Sequence, residues 1–433
     1  MLKCGASEVK ITPNLGMGIP GYFDDRRADG ILDDLYAKAL AVESDGECAI
    51  VIVCDTINLD RQDVLRMRKK ISEKTGICPD RISISATHTH TGGPSWSGFE
   101  SHREPEYLNR MISGAAEAAI TAYESMRPAK IGFGIGELTG VSFIRRFFMK
   151  DGSVRTNPGN DPDVVREEGE PDNTLTVARV EDMDGRLIAA VTNYGVHLDT
   201  VGGTKICADY PGVLSERIKE AYGKDVVSLF LTGPCGNTNH INVKDPSSCA
   251  PDRYRQIGDA MFEKVRVLLD GMNMESEAPV RVETKRLLVN LRRPTAEQLE
   301  WAKAAAEGRD TGMEKEGDNK MFATKLFAKE MLVLQERDLY AAELEIKLIR
   351  IGGSCIAAWP GEVFVDFGQT VRAAYPGKAI MIAELANGGA ECYIPTREAY
   401  GRGGYEPRMT SGGNVEEGTG ERIAEATLEL LGK

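Results

Sequence analysis

Five histidines are few for a chain of 433 residues, and four of them stand just after runs that read as strands. His88 and His90 end RISISATHTH, His197 closes VTNYGVH, and His240 lies in the loop after SLFLTG. Neutral imidazole is the commonest protein ligand for a metal, and a catalytic zinc takes about three protein ligands and keeps a further position open. Along an extended segment residues i and i+2 point to the same side, so His88 and His90 can face one pocket. Gly92-Gly93-Pro94, which follows, would let backbone approach a ligand closely. The same spacing also suits two ordinary histidines at a strand end. His197 and Glu362 strengthen the metal reading. Glu362 stands in AAWPGEVF, after a strand and at a helix start. A carboxylate there is either favoured by the helix dipole or a hard oxygen ligand completing a His/His/Glu zinc set. His102, in ESHREPEY, reads as a solvated loop residue.

The segment TGPCGNTNHIN is dense in hydrogen-bonding groups: Asn237, Asn239, His240 and Asn242 among glycines. It reads either as an Asn/Gly turn or as a substrate-contacting loop. Cys235 with His240 would make a nucleophile and base, but nothing nearby supplies the third, orienting group such a pair needs. GFGIGELTG at 132–140 spaces its glycines wrongly for a dinucleotide fingerprint and reads as a bulged strand. GRGGYEP at 401–407 lacks the Lys-Ser/Thr of a phosphate loop.

The elements that must hold these residues follow from periodicity. Apolar, β-branched runs at 49–54, 81–87, 186–194, 225–231, 345–351, 354–359 and 379–385 read as strands. Between them lie amphipathic stretches. From about Glu104 to Met126, Leu108, Ile112, Ala115, Ala119, Ile120 and Tyr123 recur at helical spacing behind Pro105. A second helix starts after Asp209 as N-cap, and GERIAEATLELLGK closes the chain as a third. The alternation predicts an α/β or mixed α+β fold of mixed β-sheets flanked by helices, in which ligands gather beyond the carboxyl ends of parallel strands. No linker divides residues 1–433, so a single domain is expected. A helical insertion spans about 295–336. It reads as a packed hairpin, or as a lid whose apolar face carries Phe322, Leu326 and Phe327.

Composition excludes some partners. Hydrophobic residues make up 42% and charged ones 27%, with a net charge of −13. That balance is globular and disfavours nucleic acid and anionic bilayers. It points to a small-molecule substrate, no nucleic acid and no stable membrane association, and leaves a homo-oligomer open. Nine cysteines without a CxxC pair argue against a disulfide framework. The opening MLKCGASEVKITP has no apolar core of signal-peptide length, and no apolar run approaches ~20 residues. A cytoplasmic protein is expected.

ATHTHTGG, FIRR, GVH, PGE and CYIPTREAYGRGGYE occur here in the order of matching motifs in the neutral/alkaline (non-lysosomal) ceramidase family, and VKITP with ILDDLYAKALAV resembles that family's opening. The resemblance implies a ceramidase-like catalytic domain and a zinc amidase. It makes His88, His197, Glu362 and Tyr393 the metal ligands, the last an unusual phenol. It gives His90 proton transfer or substrate polarisation, and Arg145 in FIRR, with Arg146 beside it, the family's arginine. Two departures stand out. Asn237 and Asn239 stand where the family has its aspartate and serine, and a short cytoplasmic branch, without the signal and C-terminal β-sandwich of secreted members, is expected.

The expectation is therefore a zinc-dependent hydrolase. Zn²⁺ supplies hydroxide at neutral pH, which attacks a carbonyl carbon. Arg145 helps stabilise the oxyanion, His90 shuttles the proton, and Asn237, Asn239 and His240 bind substrate. The loop's polarity points to a small polar amide, lactone or cyclitol- or sugar-derived substrate. A ceramidase-type amidase on N-acyl lipid is the alternative, and a non-catalytic, metal-stabilised sugar- or polyol-binding protein a further one. An amidohydrolase barrel, which also uses HxH on a strand, needs more histidines than the chain has.

Overall fold

The structure, a computed structural model, describes residues 1–309, 320–390, 392–412 and 414–433, with side chains from 324 onward in the second helix of the insertion. The larger sheet has eight strands: β1 (Lys3–Lys10), β2 (Tyr36–Ser44), β3 (Glu47–Cys54), β4 (Ile82–Ala86), β5 (Arg127–Glu137), β6 (Thr174–Asp182), β7 (Leu187–Tyr194) and β8 (Val227–Thr232). Their order is β8-β7-β6-β5-β1-β2-β3-β4. The second sheet runs in sequence order through β9 (Val280–Asn290), β10 (Ala341–Ile351), β11 (Ser354–Ala358) and β12 (Ile380–Ala383). The fold is mixed α/β, as the alternation implied.

Most neighbours are antiparallel. The exceptions are β3/β4, β7/β8 and β11/β12, which are parallel. Parallel neighbours need a crossover, and each pair has a helix in it. These are α1 (Arg61–Thr75) between β3 and β4, α3 (Tyr210–Tyr222) between β7 and β8, and α7 (Val365–Ala373) between β11 and β12. The molecule thus contains three βαβ units, and their carboxyl ends meet. Ala86 at the end of β4 donates to Leu385 O, Asn387 donates to Ile84 O, and Glu384 beyond β12 donates to Thr232 O of β8. The groups expected to bind metal lie at this shared rim, His88 and His197 on loops and Glu362 and Tyr393 in a pair of two-residue strands.

The strands that carry the rim are buried along nearly their whole length, and mostly apolar, because both faces are covered. In β3, Ile50, Ile52 and Cys54 pack with the helices α1 and α2 (Pro105–Glu124), while Ala49, Val51 and Val53 pack in the core that both sheets share. α3 covers β8 on the outside, and α4 (Arg253–Asp270) packs beside it over β5 and β6. Caps end the helices as the residues dictate: Asp60 accepts from Gln62 N at α1, Gly76 closes it at φ 74°, and Asp209 accepts from Tyr210 N at α3.

The stretch 132–137 is not bulged. β5 pairs with β6 without a register shift from Ala129↔Asp182 to Glu137↔Thr174. Its glycines answer a different need. A Cβ at Gly132 would sit 2.6 Å from Asn273 O, and one at Gly134 3.0 Å from Met272 Cε, so they let the segment that follows α4 lie close on the sheet. The insertion forms α5 (Ala296–Ala306) and α6 (Lys320–Glu336). These pack as a hairpin through Ala302, Ala305, Ala328, Met331 and Leu334, with Met409 against them. Its linker and the Phe322 side chain lie outside the described residues.

Candidate metal centre and the cavity above it

His88 and His90 follow β4, His197 follows β7, and Glu362 follows β11. The three rings meet edge to face or tilted. His88 Nε2 lies 3.0 Å from His197 Nε2, and His90 Nε2 lies 3.4 Å from His88 Nε2. Glu362 Oε2 lies 3.3 Å from His88 Nε2 and 3.6 Å from His197 Nε2. The route to this convergence differs from the extended segment that the HxH spacing suggests. β4 ends at Ala86, and His88 takes a left-handed backbone at φ 76°. A non-glycine residue held there is strained, and the surrounding structure must enforce it. It does: His88 N–H donates to Thr56 O, and His90 N–H to Leu198 O, so the loops after β3, β4 and β7 are laced together.

The tautomers follow from what the other ring nitrogens face. His88 Nδ1 is 2.7 Å from Ile57 O, and His197 Nδ1 is 3.3 Å from Cys235 O. A carbonyl only accepts, so both Nδ1 atoms carry the proton and both Nε2 atoms present lone pairs. Two lone pairs and a carboxylate oxygen without a hydrogen-bond partner therefore point at one another in a buried place. A cation resolves that arrangement. Zinc bonds of about 2.1 Å in a tetrahedron put donor atoms about 3.4 Å apart, close to the separations seen. The donor set fits a metal ion. Tyr393 is brought to the same place by backbone pairing of Glu362 with Tyr393. Its ring stacks on His197 with centroids 6.5 Å apart.

The charges of the protein groups match. Burial pushes the Glu362 carboxyl up, but His88, His197 and Arg145 outweigh it and bring it down to about 2. Burial, then the neighbouring His88, pulls His90 down to about 3. Burial, followed by Arg145 and His88, leaves His197 well below the usual imidazole range. Burial also lowers His88, but Glu362 more than offsets it and the net shift is upward. Burial raises the Tyr393 phenol, Glu362 adds to this, and Arg145 opposes it.

Arg145 lies beside this group, with its guanidinium carbon 5.1 Å from the Tyr393 ring centre. Its Nε donates to Glu406 Oε1 at 2.9 Å and its Nη2 to Gly236 O at 2.7 Å. Arg146 points the other way and is fully buried against Glu168 and Glu406. Glu406 thus separates the two arginines. Sequence reasoning missed it, although it stands in the GRGGYEP loop; the signal was a lone acid beside glycines, which the phosphate-loop test discards.

The loop 233–242 is placed differently from the expectation. Asn237 Oδ1 accepts from Val365 N at 2.9 Å and its Nδ2 donates to Asp366 at 3.0 Å, so this amide holds the start of α7. Asn239 bonds Asn157 Oδ1 and Ile241 N. His240 Nδ1 pairs with Asp199 Oδ1 at 3.0 Å. None of the three lines the cavity at the metal group. Cys235 is not paired with His240. Its thiol lies 3.0 Å from Glu384 Oε1, and burial, then Glu384, pushes it well above the usual range. His102 is exposed.

The cavity above His88, His90, Glu362 and Tyr393 measures about 70 Å³. Its wall is aromatic. Trp96 and Phe99 come from the loop before α2, Phe327 from α6, and Tyr405 from the C-terminal loop. Phe99 and Phe327 meet edge on at 5.3 Å, and Phe23 closes on Phe99 at 4.8 Å. The insertion is thus a packed hairpin that also walls the site.

Three βαβ units gathering three imidazoles and a carboxylate under an aromatic wall define an α/β protein with a buried site fit to hold a metal ion. Comparison with known proteins supplies the family. The family described as neutral/alkaline non-lysosomal ceramidase, N-terminal, matches residues 3–281. The chain belongs to that family, which is one of hydrolases. It is 25% identical over 235 residues to neutral ceramidase A of Dictyostelium discoideum, covering 52% of this chain and 31% of that protein. It is 22% identical over 267 residues to the neutral ceramidase of Pseudomonas aeruginosa, covering 57% of this chain and 39% of that one. These alignments span well under half the relatives' length. The crystal structure of the Pseudomonas aeruginosa neutral ceramidase superposes with a TM-score of 0.70 at 20% identity, over 98% of this chain and 73% of that one, and shares the fold. Among the described residues no helix is long and apolar enough to cross a membrane.

Proposed function

We propose that the protein is a zinc-dependent hydrolase that cleaves an amide with an apolar acyl part. The observation that carries this reading is the donor set: two imidazole lone pairs and an unpartnered carboxylate oxygen, buried and about 3.0–3.6 Å apart. His88, His197, Glu362 and Tyr393 would hold the ion. When bound, zinc supplies a Lewis acid and brings the pKa of water to about 7. The protein supplies the rest. Tyr393 and Glu406 keep Arg145 cationic against its burial, so a fixed positive charge lies beside the metal group, where it would help stabilise negative charge developing on a bound carbonyl. His90 has a buried Nδ1 without a partner and an Nε2 turned to the metal group. It is suited to pass a proton to the leaving nitrogen.

The cavity favours an N-acyl amide, of the ceramide kind named in the relatives, over a hydroxyl-rich substrate. The polar side chains expected to read hydroxyls are engaged elsewhere, whereas Trp96, Phe99 and Phe327 offer an apolar face to an acyl chain. The substrate is a small molecule; the charge of −13 opposes nucleic acid. The test is competition between a short-chain N-acylsphingosine in detergent and a panel of polar amides, lactones and keto-cyclitols. The N-acyl amide is expected to turn over at least about tenfold faster. A polar lactone or ketone that outruns it would return the account to a polar substrate.

A further inference from the structure

Glu330 is a carboxylate in the middle of α6, and it is 5% exposed. Its Oε1 accepts from Phe99 N at 2.8 Å, and its Oε2 accepts from Ser411 N at 2.9 Å and from Ser411 Oγ. One side chain therefore ties the hairpin to two separate loops. Both loops line the metal cavity, through Trp96 and Phe99 on one side and Thr410 and Asn414 on the other. Acceptance by a buried carboxylate makes these strong hydrogen bonds.

The Phe99 loop needs such a hold. Phe99 has φ 53°, a left-handed backbone that costs a bulky residue free energy. The turn is tight as well: Gly98 and Ser101 form an isolated bridge, and a Cβ on Gly98 would fall 2.0 Å from the Trp96 ring. The strained backbone aims the Phe99 ring at Phe327, which sits three residues before Glu330 on the same helix. Position 327 and position 330 lie one helical turn apart, so anchor and wall face the same way. Lys329, at 3.0 Å from Glu100, adds an exposed second tie.

We propose that Glu330 is a positioning residue that clasps the α5–α6 hairpin over the metal cavity, and so sets the aromatic wall that selects the acyl part of the substrate. The clasp itself rests on geometry; its effect on substrate choice rests on the amidase reading above. Opening it frees the Phe99 amide, relaxes the left-handed turn and separates Phe99 from Phe327. Glu330→Gln is the informative variant. An amide of the same shape can accept from only one of the two backbone N–H groups and presents its own N–H₂ to the other.

The experiment is amide hydrogen exchange on the full chain, read at peptides covering 97–101 and 409–412, for wild type, Glu330→Gln and Glu330→Ala. Glu330→Ala should speed exchange at both peptides by about 10- to 100-fold, as the loss of a hydrogen bond to a charged group implies. Glu330→Gln should speed it mainly at one. The rest of the chain should keep wild-type exchange, which excludes global unfolding. In hydrolysis assays across N-acyl lengths, both variants should lose the wild-type length preference through KM, with kcat nearly kept. Unchanged exchange at both peptides would overturn the clasp. Faster exchange with the KM pattern intact would overturn its control of the wall. If wild type cleaves no N-acyl amide, the amidase reading fails, and the exchange result still decides whether Glu330 clasps the hairpin.

Discussion

His88 and His197, at the cavity floor, hang from the carboxyl ends of strands buried on both faces, and each ring is tied by Nδ1 to a backbone carbonyl. Phe99 and Phe327, in the wall, hang from a turn and from a hairpin helix, and one carboxylate joins them. The floor is fixed from three directions by the packing of two sheets, whereas the wall depends on few bonds between segments distant in sequence. Such a division suits an enzyme: chemistry needs donor atoms held to fractions of an ångström, and substrate choice can be tuned on a looser surface. Changes in the floor should therefore strike turnover, and changes in the wall should strike affinity.

The largest effect is expected at the floor. His90→Gln should lower turnover by about 10²–10⁴ while the purified protein keeps its zinc. Loss of the metal from this variant would instead make His90 a ligand, which its 3.4 Å approach to His88 also allows. Next comes Glu406→Ala, which leaves Arg145 and Arg146 buried without their shared partner. Breaking such a pair costs about 3–5 kcal/mol, so a fall of that order is expected in chemical denaturation. A loss below about 1 kcal/mol would show that the arginines find other partners. Phe327→Ala should sharpen the comparison. Losing part of one aromatic contact should raise KM for a long N-acyl amide by about tenfold and leave kcat nearly unchanged; a kcat defect would join the wall to the floor.

The smallest effect belongs to a control that is neither among the metal donors nor in the aromatic wall. Burial raises the Asp33 carboxyl to about 6, against the hydrogen bond from Ala208 N that lowers it. The folded chain then holds this proton more tightly than the unfolded one, so this group's contribution to stability falls as pH rises from about 4 to about 6 and is flat above. Asp33→Asn should remove that slope, on the order of 1 kcal/mol after solvent screening, with zinc content unchanged. Asp209, raised to a similar value, leaves a slope of its own; an undiminished slope in the variant would show that Asp33 contributes none of it.

Much of the floor was legible in the sequence. Rare histidines after apolar runs could be placed on one rim because fully buried strands leave a continuous apolar signal. The strands missed were those with one solvated face or mixed polarity. β1, with KCGASEVK, and β9, with RVETKRLLVN after its first valine, carry charges that break the run. The left-handed turn at His88 has no sequence signature, since glycine or asparagine would be the usual occupant. The engagements of Asn237 with the start of α7 and of Asn239 with Asn157 and Ile241 were not legible, because an amide held by its neighbours has the same sequence signature as one that would meet a substrate. The wall was least legible: Phe99, Phe327 and Glu330 are 228 or more positions apart across the pair that matters, and no local period links them.

The central claim is that His88, His197, Glu362 and Tyr393 hold a zinc ion on which hydrolysis depends. Elemental analysis of purified wild type and His197→Ala, paired with hydrolysis of an N-acyl amide before and after chelation, tests it most directly. The account expects about one zinc per wild-type chain, little or none in His197→Ala, and activity that disappears with the chelator and returns with added zinc. Full zinc in His197→Ala, or undiminished hydrolysis by wild-type protein shown to be free of metal, would contradict it.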